Sequence, residues 1–181
     1  VTATPGALPP HRPTAAPDAL QRLWAPWRFD YVTAEAPPDG CPFCVLPARA
    51  KTHDRASLIL HRGVHNVVML NAYPYNPGHL MVLPYTHTAA LTELDEAAST
   101  ELFLLTRRCV AVLNATLECD GVNLGMNLGA AAGAGIADHL HMHAVPRWSG
   151  DTNFLTVAAS TRVLPRALDE MYAALDGGFN A

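Results

Sequence analysis

Lysine is almost absent: Lys51 is the single lysine among 12 basic residues in a chain of 181. That excludes a Gly-Lys-Ser/Thr phosphate loop, whose lysine reaches the terminal phosphates, and leaves Schiff-base chemistry one residue at most. A basic surplus is missing too, since 12 basic against 16 acidic groups give a net charge of −4. No basic run marks a nucleic-acid binder. No apolar run approaches the length of a membrane span, and the first residues lack the charged start and apolar stretch of a secretory signal. Four cysteines in a chain of this size are too few for a disulfide scaffold, so the expected compartment is the cytoplasm. Charged residues make up 15% and apolar residues 50%, a globular composition of one domain's length.

Proline is concentrated at the start, with ten of the fifteen inside the first fifty residues. Residues 1–19 have no apolar periodicity and read as a mobile tail. The stretch LQRLWAPWRFDYV at 20–32 is too apolar for a solvated linker. It is expected to lie across the domain body or a partner subunit. Residues 20–181 then form a single domain with its core at about 40–150. Short β-like runs fall at 57–61 and 66–70 around Arg62-Gly63, at 79–83, at 122–128 and at 139–145. A 3.6-residue apolar period predicts a long helix over 88–117 with a break near Asp95. A final helix is expected at 164–175, closed by Gly177-Gly178. The fold class is α+β: an antiparallel sheet of about five strands with one long helix and a C-terminal helix.

Histidine is the opposite of lysine: nine are present, three of them within residues 139–143. In His139-Leu140-His141-Met142-His143-Ala144-Val145, strand alternation puts the three imidazoles on one face. Such a face is a solvated surface, a zinc cluster, or a site for phosphorus chemistry in which imidazole serves as nucleophile and acid near neutral pH. The loop before it, Asn127 to Gly135, is rich in Gly and Ala and offers backbone amides to phosphate oxygens. That company favours phosphorus chemistry. Cys41-Pro-Phe-Cys44 has the two-residue gap of half a zinc site. It also reads as a pair of reduced thiols.

These residues resemble the histidine triad (HIT) superfamily. The 139–145 segment matches the family's His-apolar-His-apolar-His-apolar-apolar motif, and Asn76-Pro-Gly-His79 through His87 resembles its second block. The segments WAPWRFDYV and AVPRWSGDTNF are similar to the actinobacterial branch of diadenosine tetraphosphate phosphorylases. The resemblance implies a HIT-like fold with His141 as nucleophile on the α-phosphorus. It implies that His143 bonds the phosphate or protonates the leaving oxygen, and that His79 lines the same pocket. It also implies that Asn127 and the amides of Gly133, Ala134 and Gly135 hold the transferred phosphate. Asn71 would contact the ribose, and Phe43 with Val45 would form the base wall. Trp148 would stack on a second adenine or cover an edge, and Arg147 would serve outer phosphates. Many relatives carry Gln followed by Ser or Thr before the triad; this chain has Gly133-Ala134-Gly135-Ile136-Ala137-Asp138, which shifts the burden to backbone amides.

In zinc-bearing relatives the other half of the metal site corresponds to His87 and His139. The resemblance therefore implies structural Zn²⁺ on Cys41, Cys44, His87 and His139, and no organic cofactor. The expected partners are adenine nucleotides or dinucleoside polyphosphates, inorganic phosphate, and a second copy of the chain as a homodimer or tetramer. Neither nucleic acid nor membrane is expected. The expected activity is phosphorolysis of diadenosine tetraphosphate to ATP and ADP through a nucleotidyl-histidine. The alternatives are a hydrolase or phosphoramidase with water as acceptor, and a nucleotide-binding protein without turnover.

Overall fold

A computed structural model describes residues 40–152 and 167–180. The expected tail at 1–19, the aromatic stretch at 20–32 and the start of the expected last helix lie outside them. The elements in chain order are α1 (Pro42–Ala48), β1 (Ile59–Arg62), β2 (Asn66–Leu70), β3 (Leu80–Pro84), α2 (Glu96–Leu117), β4 (Gly121–Met126), β5 (Met142–Arg147) and α3 (Leu168–Asn180). The five strands form one antiparallel sheet in the order β1-β2-β3-β5-β4. This is the α+β architecture expected. No described helix is long and apolar enough to cross a membrane.

The sheet is covered on both faces, so its inner strands read as unbroken apolar runs instead of alternating ones. All five residues of β2 and all five of β3 are buried. On one face Val68, Leu70, Leu80, Val82 and Ala144 pack under Leu102, Leu105, Cys109 and Leu113 of α2 and Met171, Leu175 and Phe179 of α3. On the other, Val67, Met69, Met81 and Leu83 form a smaller cluster with Phe43 of α1. Register assigns the histidines to that smaller side: His143 stands opposite Met81, while Ala144 stands opposite Leu80 of the helical face.

The break expected near Asp95 is a helix start. Asp95 accepts the Ala98 amide at 2.7 Å as the N-cap of α2. One turn in, Glu101 takes the amides of Val64, His65 and Asn66 and the Asn66 side chain. This anchors the β1–β2 hairpin to α2. Burial pushes the Glu101 carboxyl up, but these four bonds outweigh it and hold the carboxyl below its ordinary value.

Two expectations need correction. Gly177-Gly178 does not close the last helix; α3 runs through both to Asn180. A Cβ on Gly178 would stand 2.7 Å from Val112 Cγ1, so the glycine allows close helix packing. The last strand begins at Met142, not His139. Before it, the Pro84 carbonyl is taken by the His139 ring at 2.9 Å and the Leu140 amide goes to Thr88 at 2.7 Å. The ladder therefore ends where a side chain captures its next acceptor.

Candidate active site and metal centre

The first two triad histidines lie just before β5, and the third lies within it. Phe43 packs against His139 (ring centroids 5.6 Å apart) and His141 (5.1 Å), and His141 against His143 (4.8 Å). His139, His141 and His143 are all buried, as is His79, at 0% exposure. The loop from Asn71 to Gly78 brings His79 in from β3. Gly78 has φ +80°, and a Cβ there would also meet Leu117 at 2.5 Å. The positive φ favours glycine, whereas the Leu117 methyl could move aside.

Hydrogen bonds assign each proton. A carbonyl can only accept, so His141 Nδ1 donates to the His139 carbonyl at 2.8 Å. The His141 lone pair is then on Nε2. His79 Nδ1 accepts the Tyr75 amide at 3.1 Å and faces the Asn71 side-chain amide at 3.3 Å. Its proton therefore sits on Nε2 and is donated to His143 Nδ1 at 2.9 Å. That leaves the His143 proton on Nε2, which is buried without a hydrogen-bond partner among the described residues. A lone pair and a free donor thus stand on adjacent rings.

Burial is the main cause holding these rings neutral. It lowers His79 to about 3, with His143 and His141 adding to the effect, and His143 to about 4, with His141 adding. Burial lowers His141 as well, against the opposing pull of its bond to the His139 carbonyl. Between pH 6.5 and about 4 the unfolded chain binds protons that folded His79 and His143 refuse. Their stabilisation is complete above pH 6.5 and is lost as pH falls, by up to about 1.4 kcal/mol per unit for each ring. Urea unfolding of wild type and His143→Asn between pH 7 and 5 checks this. The variant should lose stability less steeply; an equal slope would count against a neutral buried His143.

The four expected metal ligands come together. The donor atoms of Cys41, Cys44, His87 and His139 all lie within 4.8 Å of one another. His139 Nδ1 is 3.5 Å from each sulfur and 3.2 Å from His87 Nδ1, and Cys44 Sγ is 3.3 Å from His87 Nδ1. Tetrahedral zinc separates its donors by about 3.3 Å for two nitrogens and about 3.6 Å for nitrogen and sulfur. The residues fit the ion. His139 donates Nε2–H to the Pro84 carbonyl, which turns its Nδ1 lone pair toward the other three donors.

The other expected site residues divide. Phe43 lies against the nucleophile candidate. Asn71 bonds to His79, and its Oδ1 also accepts the Tyr73 amide at 2.9 Å. The Gly133 amide goes to the Ala130 carbonyl at 3.0 Å, and among the described residues no backbone hydrogen bond takes the amides of Ala134 and Gly135. Ile136 packs against the smaller apolar cluster, to which Phe43 belongs. Asn127 is half-exposed, and no hydrogen bond among the described residues joins it to the histidines. Arg147, expected to serve outer phosphates, forms two bonds to Asp151, at 2.6 and 2.8 Å, and one to Asn123 at 2.9 Å. Half-buried Trp148 gives its amide to the same carboxylate at 3.3 Å. Residues that pattern reading passed over are Tyr75, whose ring lies 4.6 Å from His79, together with Asn76 and Asp151. The Asn-Pro-Gly-His block was the available signal for Asn76.

The HIT domain family pattern matches residues 54–150. The chain belongs to the HIT family. It is 42% identical over 160 residues to the AP-4-A phosphorylase of Mycobacterium tuberculosis, spanning 83% of this chain and 80% of that one. It is 28% identical over 95 residues to the asymmetrical bis(5'-nucleosyl)-tetraphosphatase of Schizosaccharomyces pombe, 52% of each chain. Among solved structures it is similar to a Zn-bound histidine triad family protein from Mycobacterium smegmatis, with TM-score 0.60 and 26% identity over 77% of this chain and 93% of that one.

Proposed function

We propose that this HIT protein is a phosphorylase of dinucleoside polyphosphates, converting diadenosine tetraphosphate and phosphate to ATP and ADP. The observation that carries the reading is the pairing of an unprotonated His141 Nε2 with the unpartnered His143 Nε2–H. His141 Nε2 attacks the α-phosphorus. A P–N bond forms as the bond to the bridging oxygen breaks, and ATP leaves with that bond's electron pair. His143 Nε2–H bonds or protonates the leaving oxygen. The Ala134 and Gly135 amides carry charge on the transferred phosphoryl, and Phe43 walls the base. A phosphate oxygen then attacks the same phosphorus, the P–N bond breaks, and ADP departs with His141 restored. Phosphate as acceptor is supported by the 42% relative over most of both chains.

Cys41, Cys44, His87 and His139 would hold zinc, which when bound ties α1 and the segment after β3 to the triad strand. We place the enzyme in the cytoplasm, where reduced thiols stay free to hold metal. The reading includes a homodimer: β4 is a sheet edge with Leu124 51% exposed, and Phe103 on α2 is 70% exposed. Product analysis tests the acceptor. Diadenosine tetraphosphate with phosphate should yield ADP and ATP in equal amounts. AMP and ATP with no ADP would instead establish a hydrolase using water, and no products at all would leave a nucleotide-binding protein.

A further inference from the structure

Asp151 belongs to no motif of the triad, yet five bonds converge on it. It lies beyond the end of β5 with its side chain 10% exposed. Its carboxylate accepts Arg147 Nε and Nη2, the Trp148 amide, the Thr152 hydroxyl at 3.1 Å and Asn76 Nδ2 at 2.8 Å. The same Asn76 nitrogen donates to the Pro146 carbonyl at 2.8 Å. Asn76 is 2% exposed. Its two amide hydrogens therefore staple the 71–78 loop to the end of the strand that carries His143.

The staple leads directly to the reacting groups. The Asn76 carbonyl accepts the His79 amide at 3.1 Å. His79 Nε2–H then meets His143 Nδ1 at 2.9 Å. Gly78, pressed onto Leu117 of α2, confines the loop from the other side. If the staple is released, His79 is free to leave His143. The His143 proton can then move to Nδ1, and a lone pair on Nε2 would face the leaving oxygen where a donor is needed.

We propose that Asp151 and Asn76 are positioning residues for the leaving-group acid: they hold the loop so that His79 keeps the His143 proton on Nε2. The inference rests on the reading of His143 as that acid. Its signature is a dependence on the leaving group, because a good leaving group departs without a proton and a poor one does not.

The experiment uses the zinc-loaded full chain with Asn76→Ala and Asp151→Asn. Two AMP donors are compared, one releasing a nitrophenolate and one releasing an alcohol. For the alcohol, kcat should fall about tenfold or more in both variants, with KM within about twofold. For the nitrophenolate, kcat should stay within about twofold. Adding Asn76→Ala to a His79→Gln background should give little further loss, since both act through one ring. Long-range ¹H–¹⁵N spectra of His143 should show Nε2 protonated in wild type and a mixture of tautomers in the variants. Equal losses on both donors, multiplicative losses in the double variant, or an unchanged His143 tautomer would overturn the proposal. Asp151→Asn is isosteric and reads the same quantities should Asn76→Ala fold poorly. The tautomer measurement needs no turnover, so a wild type without nucleotidyl transfer overturns the functional reading and leaves this test standing.

Discussion

Turnover of diadenosine tetraphosphate by His141→Ala should fall by about four orders of magnitude or more. The variant loses the atom that bonds to phosphorus, and no neighbouring group can take its place. His143 presents a proton on Nε2, His79 spends its proton on His143, and His139 turns Nδ1 toward the metal donors. His141 alone has its Nδ1 proton held by a carbonyl and its other nitrogen unprotonated. The loss should appear in kcat and kcat/KM alike, with little change in KM, because the missing interaction exists only along the reaction path. A nucleotidyl adduct seen by intact mass after rapid quench of wild type should be missing in the variant. His141 is 6% exposed and touches Phe43 and His143, so the alanine leaves a cavity and some loss of stability. The variant should nevertheless retain full metal content. More than about one percent of wild-type turnover in a folded, metal-loaded variant would remove His141 from the mechanism.

The second large effect concerns the metal. Cys41→Ser should reduce bound zinc from one ion per chain to a small fraction, measured by elemental analysis after dialysis. Serine keeps the side-chain volume but offers zinc a neutral hydroxyl in place of a thiolate. At free zinc a thousandfold above its dissociation constant, binding adds about 4 kcal/mol to the folded state. For a domain of this size that is a shift in Tm of roughly 8–16 °C. The larger apolar cluster under α2 and α3 contains none of the four ligands, so the variant should melt cooperatively at the lower temperature. The pair of variants discriminates sharply: Cys41→Ser loses metal and His141→Ala keeps it. The reverse outcome would mean that the triad itself is the zinc site.

The triad, the second block and the cysteine pair were legible because each is a pattern of side chains at fixed spacing. Alternation placed His143 and Ala144 on opposite faces, and the register with Met81 and Leu80 agrees. Resemblance to relatives added His87 and His139 as ligands, which spacing alone could not supply across a gap of 98 residues from Cys41 to His139. The carbonyls that set the tautomers were not legible. Every residue has a carbonyl, and nothing in the letters distinguishes those of Pro84 and His139. The partner of Arg147 was not legible for a related reason: Asp151 sits four residues away in a turn without periodicity. Gly177-Gly178 reads as a helix stop because glycine usually is one. Its use as a packing notch against Val112 appears only when two helices are brought together.

The same 98-residue gap has a temporal meaning. During synthesis the Cys41 and Cys44 thiols leave the ribosome well before His139 does. At 5–20 residues per second that interval is roughly 5–20 s. β3 also waits for β5, which follows it by some sixty residues, so neither the metal site nor the catalytic face can assemble from the nascent N-terminal half. For those seconds the thiol pair is a free dithiol, and the reducing power of its surroundings decides whether it reaches the metal intact.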